Sequence, residues 1–218
     1  MAEMKIGFVT FNPGSGDGDQ AVTVSGEKNE GRIQRTQQVE FRAESGGVKK
    51  IATINQAAAA EFVKIDSAAS VGKGGGTVTI SGTSNSTKLT FSLTPDETHP
   101  LALEMPASYQ AAGKATNNGA IIAGDPGATG GFAFSIVFSG IAANANVNDL
   151  TNTLKVTANG GQTANTVITQ AAGDPFLEID KNVVDLDVDG APKTINVNAN
   201  IRWTIAQVVS KLAGAVMK

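Results

Sequence analysis

The chain has 218 residues, a length that accommodates about two β-sandwich units of roughly 100 residues each. It contains no cysteine, which excludes disulfide bonds and thiolate metal sites. The net charge of −3 is not gathered into blocks of like charge, and no apolar run approaches the ~20 residues of a membrane helix. The sequence therefore predicts neither a nucleic-acid-binding surface nor a transmembrane segment.

The first 60 residues have the alternation of apolar and polar residues that is typical of strands. Val39, Phe41 and Ala43 alternate with charged residues, which predicts a strand with one buried and one exposed face. Asn12-Pro13-Gly14 and Ser45-Gly46-Gly47 predict turns, because proline fixes φ and glycine adopts positive φ. With 25 glycines and abundant Thr, Asn, Ser and Val, the chain favours an all-β fold.

The middle of the chain begins with a short join at 57–61 and continues with predicted strands at 62–65, 77–80 and 88–93. Residues 92–124 contain three prolines, the only histidine and tyrosine, and a polar run at 114–119. This composition predicts a long exposed insertion loop.

The residues after Trp203 change character. Val208, Val209, Leu212 and Val216 share one helical stripe, although Gly214 weakens a helix. We expect either a short amphipathic helix or one extra strand at the C-terminal end.

An internal repeat organises the whole sequence. The segment from Gly46-Gly47 to Gln56-Ala57-Ala58 recurs from Gly160-Gly161 to Gln170-Ala171-Ala172, with the glutamine nine positions after the second glycine in both copies. A Phe-x-x-Ile-Asp element follows each copy, at 62–66 and at 176–180. Residues 12–91 therefore recur at 125–205 with an offset near 114. The last opening element, 176–205, has no closing copy of its own.

These motifs resemble the BACON family of immunoglobulin-like domains, which is common in gut Bacteroidales and their phages. The resemblance depends on Asn-x-x-Trp at 200–203 and on the closing Val-x-x-Gln at 167–170. It implies tandem immunoglobulin-like β-sandwich domains: an N-terminal domain at 1–60 without its opening strands, a second at 61–173 with the insertion loop 92–124, and a partial unit at 174–218 with the amphipathic tail. Phe91 stands where the family pattern has tryptophan.

Residues 185–190, Asp-Leu-Asp-Val-Asp-Gly, begin like a calcium-binding loop. The twelfth position of such a loop requires a bidentate glutamate, but it is Asn196 here. The alternating apolar residues favour a half-exposed strand that ends in an Asp-Gly turn. We therefore predict no metal site and no bound cofactor.

No group of residues predicts catalysis. His99 is the only histidine, which leaves neither a nucleophile–base pair nor a zinc site. Asp96 and Glu97 are adjacent on a predicted loop, whereas the carboxylates of glycosidases face each other across about 5–9.5 Å. Asn85-Ser86-Thr87 matches a glycosylation sequon, but nothing indicates a secretory route. We expect a protein without enzymatic activity and without catalytic residues.

Two aromatic residues are candidates for stacking on sugars. Trp203 shares a strand face with Ile201 and Ile205 and is better explained as a core residue, while Tyr109 on the predicted loop is expected to be more open. Carbohydrate binding by an adhesin or binding module is therefore the alternative function.

The leading expectation follows from the resemblance. Small proteins built of such units are similar to accessory virion proteins of crAss-like tailed phages, which decorate the capsid or build head fibres. We expect a location in the virion, contacts with the major capsid protein or other head proteins, and several copies or a homo-oligomer. A unit that lacks strands exposes backbone groups and apolar side chains, which must be covered either by the other end of the same chain or by a neighbouring subunit.

Overall fold

The computed structural model describes residues 2–66 and 68–207, and every regular element within these ranges is a β-strand. The N-terminal group contains β1 to β5: Met4–Ile6, Val9–Asn12, Thr23–Gly26, Arg35–Arg42 and Lys49–Gln56. The central group contains β6 to β14: Val63–Ile65, Ala69–Val71, Gly76–Ser84, Leu89–Pro95, Ser108–Ala111, Lys114–Asn117, Phe132–Ile141, Leu150–Ala158 and Thr163–Gln170. The C-terminal pair is β15 and β16: Leu177–Ile179 and Val197–Ala199. The all-β prediction is confirmed, and the predicted helix or strand at 208–218 lies outside the described residues.

The central group forms a β-sandwich. One sheet has the strand order β11-β10-β12-β8-β6, and the other has the order β7-β14-β13-β9. Alternate residues of β12 point into the space between the sheets, where Phe134, Ile136 and Phe138 are buried against Leu154 and Val156 of β13. Burial of each such side chain stabilises the fold by about 1.5–3 kcal/mol, which makes this the main core of the chain.

The segment 92–124 is not one continuous exposed loop, which corrects that prediction at β9, β10 and β11, whereas 96–107 and 118–124 form no regular strand. β9 continues to Pro95, and β10 and β11 form a hairpin that extends the five-stranded sheet. Leu101, Tyr109 and Ile122 are buried in the core. β11 is an edge strand of four residues of which only Thr116 is buried, so its polar sequence resembles a loop although it pairs as a strand.

The N-terminal group is a smaller arrangement of two sheets, with the orders β1-β2-β3 and β4-β5. Its fully buried apolar residues are Val9, Phe11 and Val39, and several half-buried residues pack around them. This core is much smaller than that of the central sandwich.

The C-terminal pair repeats the opening of the central sandwich. In the central unit, Val63 is opposite Ser84 and Ile65 is opposite Gly82 in the β6–β8 pair. In the C-terminal unit, Leu177 is opposite Ala199, and Ile179 is opposite Val197. The strand register is therefore the same after an offset of 114 residues in the first strand and 115 in the second, which confirms the repeat at the level of the backbone.

Candidate assembly interface

A buried asparagine closes the same end of both repeated units. The side chain of Asn29 binds three main-chain groups, and that of Asn144 binds the three equivalent groups of the central unit. For Asn29 these are Ile33 O, Ala57 O and Gly31 N–H, and for Asn144 they are Asn148 O, Ala171 O and Asn146 N–H, all at 2.9–3.0 Å. Each asparagine links its own loop to the residue that directly follows the closing hairpin, which is Ala57 after β5 or Ala171 after β14. It can do so because a side-chain amide both donates and accepts hydrogen bonds.

A second asparagine joins each unit to the one that follows. Asn85 Nδ2 donates to Glu30 O and Ala60 O, both at 2.9 Å, and Asn85 Oδ1 accepts from Phe62 N–H at 2.8 Å. Asn200 makes the same set of bonds, to Ala145 O and Asp174 O at 2.9 Å and from Phe176 N–H at 2.8 Å. The same pattern of three hydrogen bonds therefore occurs at the junction between the first and second units and at the junction between the second and third.

The first junction carries further contacts. Arg32 forms an ion pair with Asp125, and its Nε donates to the main-chain oxygen of Asn85. Gly31 lies against the backbone of Thr129, where an added Cβ would come within 2.4 Å of the carbonyl carbon. This close approach explains why a residue without a side chain occupies that position.

The hairpin β4–β5 leaves open edges that are covered in the central unit. Its counterpart is β13–β14, in which β13 pairs with β9 and β14 pairs with β7. Within residues 2–66 and 68–207, no strand pairs with the free edge of β4 or of β5. The N-terminal unit therefore presents unpaired backbone donors and acceptors where the central unit has a complete sheet.

A groove of about 640 Å³ lies between the two sheets of the N-terminal unit and is lined by residues of β1, β2, β4, the β4–β5 turn and the start of β5. Phe41 on β4 lines it and is 48% exposed, whereas Val156, at the equivalent position of β13, is fully buried. The other apolar residues that line it are Met4, Ile6, Phe11, Val22, Val39 and Val48. In the central unit, Phe91 of β9 lies opposite Val156, which is the counterpart of Phe41. The groove beside Phe41 therefore corresponds to the space that the buried side chain of Phe91 fills in the central unit.

The C-terminal unit exposes the apolar residues that the N-terminal unit lacks. With an offset of 114 residues, Trp203 and Ile205 correspond to Leu89 and Phe91, and the segment after Asn200 is then one residue shorter than the segment after Asn85. Leu89 and Phe91 are 0% and 3% exposed, but Trp203 and Ile205 are 44% and 90% exposed. The prediction that Trp203 is a core residue is therefore wrong, because no strand of the described residues covers it.

Tyr109 is not open to a ligand, which corrects the prediction for this residue. Its side chain is 3% exposed, and its ring lies 4.8 Å from that of Phe91, centroid to centroid. Burial raises the pKa of its hydroxyl. The reason is that β10, on which it lies, pairs with β12 inside the sandwich.

The remaining polar candidates have structural roles. Asp96 accepts hydrogen bonds from the backbone N–H groups of His99 and Thr98, at 2.8 and 2.9 Å, and these bonds lower the pKa of its carboxyl group. His99 is half-buried, and its main-chain oxygen accepts from Thr151 N–H at 2.9 Å. Asp96 and Glu97 lie together in an exposed turn after β9.

The segment 185–190 ends in the predicted turn, with Gly190 N–H donating to Asp187 O at 2.9 Å. The preceding residues do not form the predicted strand, because they have no partner strand in the described part of the chain. Asn196, the twelfth position, donates to the carboxylate of Asp180 instead. Across the described ranges, no three His, Cys, Asp or Glu side chains are grouped as a metal site would require.

The sequence comparison missed the role of the asparagines. The motifs do not predict these roles for Asn29 and Asn144, nor the complete burial of Asn85. The available signal was their spacing, since Asn29 with Asn144 and Asn85 with Asn200 are each 115 residues apart.

None of the described residues belongs to a helix long and apolar enough to span a bilayer. The sequence matches no protein-family model, and no curated protein is significantly similar to it. The resemblance to BACON domains therefore stays a prediction from short motifs.

Proposed function

We propose that the protein is a non-enzymatic structural protein of a tailed-phage virion, an auxiliary or decoration protein of the capsid or a head-fibre component. It acts through protein–protein contacts of tandem immunoglobulin-like domains of the BACON type. The proposed partners are the major capsid protein or other head proteins, together with further copies of the chain.

The repeated junction is the observation that carries this proposal. Asn85 and Asn200 each bind the linker between two units with three hydrogen bonds, and Asn85 is fully buried whereas Asn200 is half-exposed. A buried amide with all these partners holds a linker in one geometry, because breaking the bonds leaves main-chain groups unsatisfied. Fixed junctions between small sandwiches suit a spacer or fibre, in which the position of each unit matters more than a reactive site.

Carbohydrate binding is the weaker alternative, because Tyr109 is buried and only Trp203 of the two proposed aromatic residues is accessible. A glycan array would test it directly. Binding that is lost in Trp203→Ala but kept in Val188→Ala would favour this alternative over a structural role.

The virion role is tested on particles from a culture that produces the chain. Particles are banded on a density gradient after nuclease treatment, and the chain is quantified by mass spectrometry relative to the major capsid protein. The proposal predicts a constant ratio across the particle band and labelling of particles by an antibody against the recombinant protein. A chain that stays in the soluble fraction, with unlabelled particles, contradicts it.

A further inference from the structure

We propose that copies of this chain associate head to tail, with residues 203–207 of one copy added as a strand along the free edge of β4 in the next copy. The inference rests on the proposed structural function and names the partner as a second copy of the chain. The two ends supply different parts of one unit: residues 2–57 contain the closing hairpin, and residues 174–207 contain the opening strands and the start of the next strand.

The central unit gives the register of the added strand. There, β9 pairs antiparallel with β13, with Leu89 opposite Ala158 and Phe91 opposite Val156. Transferring these pairs with an offset of 115 residues for β13 and of 114 for β9, which matches the alternating apolar residues, places Trp203 opposite Ala43 and Ile205 opposite Phe41. Strand addition then pairs the free backbone groups of β4, and it buries apolar residues that are exposed on both sides.

The groove fits such an added strand. In the central unit the ring of Phe91 packs within 5.7 Å of the ring of Phe134, centroid to centroid, between the two sheets. The groove beside Phe41 is the matching space, and its 640 Å³ accommodates the side chains of Ile205 and Trp203. Ile205 is 90% exposed, more than Ile201 or Trp203, and the association removes this side chain from water.

The charges of the two ends are complementary. The β4–β5 hairpin and its turn, residues 35–56, carry four basic and two acidic side chains. Residues 174–207 carry six acidic and three basic side chains. Opposite net charge at the two ends favours the contact of one end with the other over the contact of two identical ends.

Within residues 2–66 and 68–207, the segment 203–207 does not pair with β4, and the two junctions lie at opposite ends of the central sandwich. The first junction lies at Asn85, just after β8, and the second lies at Asn144, beyond the end of β12 where Ile141 pairs with Gly76. The ten residues of β12 span about 33 Å between these ends. Contacts between different surfaces of successive copies produce an open polymer if the rotation does not close a ring.

Because the chain has no cysteine, disulfide trapping is a clean test of the register. Thr157 and Thr90 are opposite each other in the central unit, and the repeat places Arg42 and Thr204 in their positions. Two single variants of the full chain, Arg42→Cys and Thr204→Cys, are mixed and oxidised. The proposal predicts mainly heterodimers, and a ladder of higher species for the double variant. The control mixture, Lys50→Cys with Thr204→Cys, should crosslink at least tenfold less, since Lys50 lies on β5, one strand further away.

Other crosslinking outcomes overturn the proposal. Homodimers of Arg42→Cys in preference to heterodimers would indicate symmetric pairing of two β4 edges. Equal crosslinking of the Arg42 and Lys50 mixtures would indicate random collision, and a sedimentation coefficient of the wild-type chain that does not change with concentration would show that no association occurs.

A second pair of variants separates association from folding. Ile205→Asp places a charge in the groove and should abolish the concentration-dependent increase in mass, while Val188→Asp, at a residue that is 99% exposed, should leave it unchanged. Unimpaired association of Ile205→Asp would reject the interface. If the chain binds particles but stays monomeric, only the head-to-tail association is contradicted. If the chain associates head to tail but is absent from particles, only the virion role is contradicted.

Discussion

Asn85 Nδ2 lies 2.9 Å from the main-chain oxygen of Glu30, so a side chain of the central unit holds the backbone of the preceding unit. The same amide also binds the linker between them. The junction is therefore part of the hydrogen-bonded interior and not a flexible connection.

The first prediction concerns this asparagine. Asn85→Ala should lower the free energy of unfolding by about 2–4 kcal/mol, because it leaves several buried main-chain groups without partners. Asn200→Ala is the matched control, and it should cost less than about 1 kcal/mol, since Asn200 is half-exposed and water can replace its amide. Urea unfolding of the two variants measures the difference, and equal costs would show that the first junction is not a buried network.

The second prediction concerns the close approach at Gly31. Gly31→Ala should destabilise the first junction by about 1–3 kcal/mol, because the new methyl group meets the backbone of Thr129. Gly74→Ala, where an added Cβ meets nothing within 4 Å, should change stability by no more than about 0.5 kcal/mol. Limited proteolysis of the linker 57–62, together with thermal unfolding, measures both effects. A neutral Gly31→Ala would mean that the two units can move apart freely.

The third prediction tests whether 92–124 belongs to the core. Tyr109→Ala should cost about 3–5 kcal/mol, because it removes a ring that packs on Phe91 inside the sandwich. Ile121→Ala lies in the same segment but is 76% exposed, so its cost should stay within about 0.5 kcal/mol. Chemical unfolding of both variants is the measurement. If both are neutral, the segment does not contribute to the core.

The fourth prediction concerns pH. The backbone N–H of Asn196 donates to Asp180 and lowers the pKa of its carboxyl group below the ordinary value of 3.8. A lowered pKa in the folded state means that the carboxylate stabilises the β15–β16 pair above pH 3.8, and that this contribution is lost as the pH falls through the folded pKa. The Asn196 amide resonance should therefore titrate with a midpoint below 3.8, and Asp180→Asn should remove that titration. A midpoint at or above 3.8 would contradict the hydrogen bond.

Local patterns in the sequence predict the strands and the repeat well. The alternation at Val39 and Phe41 and the paired glycines before Lys49 locate the β4–β5 hairpin, because a strand with one buried face has a period of two residues. The offset near 114 residues is visible in the motifs and is confirmed by the equal registers of β6–β8 and β15–β16.

Edge strands and burial by distant residues are harder to predict. β11 is polar because it lies at a sheet edge, and Tyr109 is buried by a strand 25 residues later in the sequence, so composition alone suggested a loop. The open edge of β4 is likewise invisible in its own sequence, since it depends on which strands are present elsewhere.

The parallel pairing of β7 with β14 has a mechanical consequence. The chain enters the central sandwich through β6, which pairs with β8, continues into β7, and leaves through Gln170 at the end of β14. Tension between the neighbouring units pulls these two parallel strands in opposite directions along their length. Their hydrogen bonds are then loaded together in shear and do not open one at a time, so we expect this pair to resist tension along the chain.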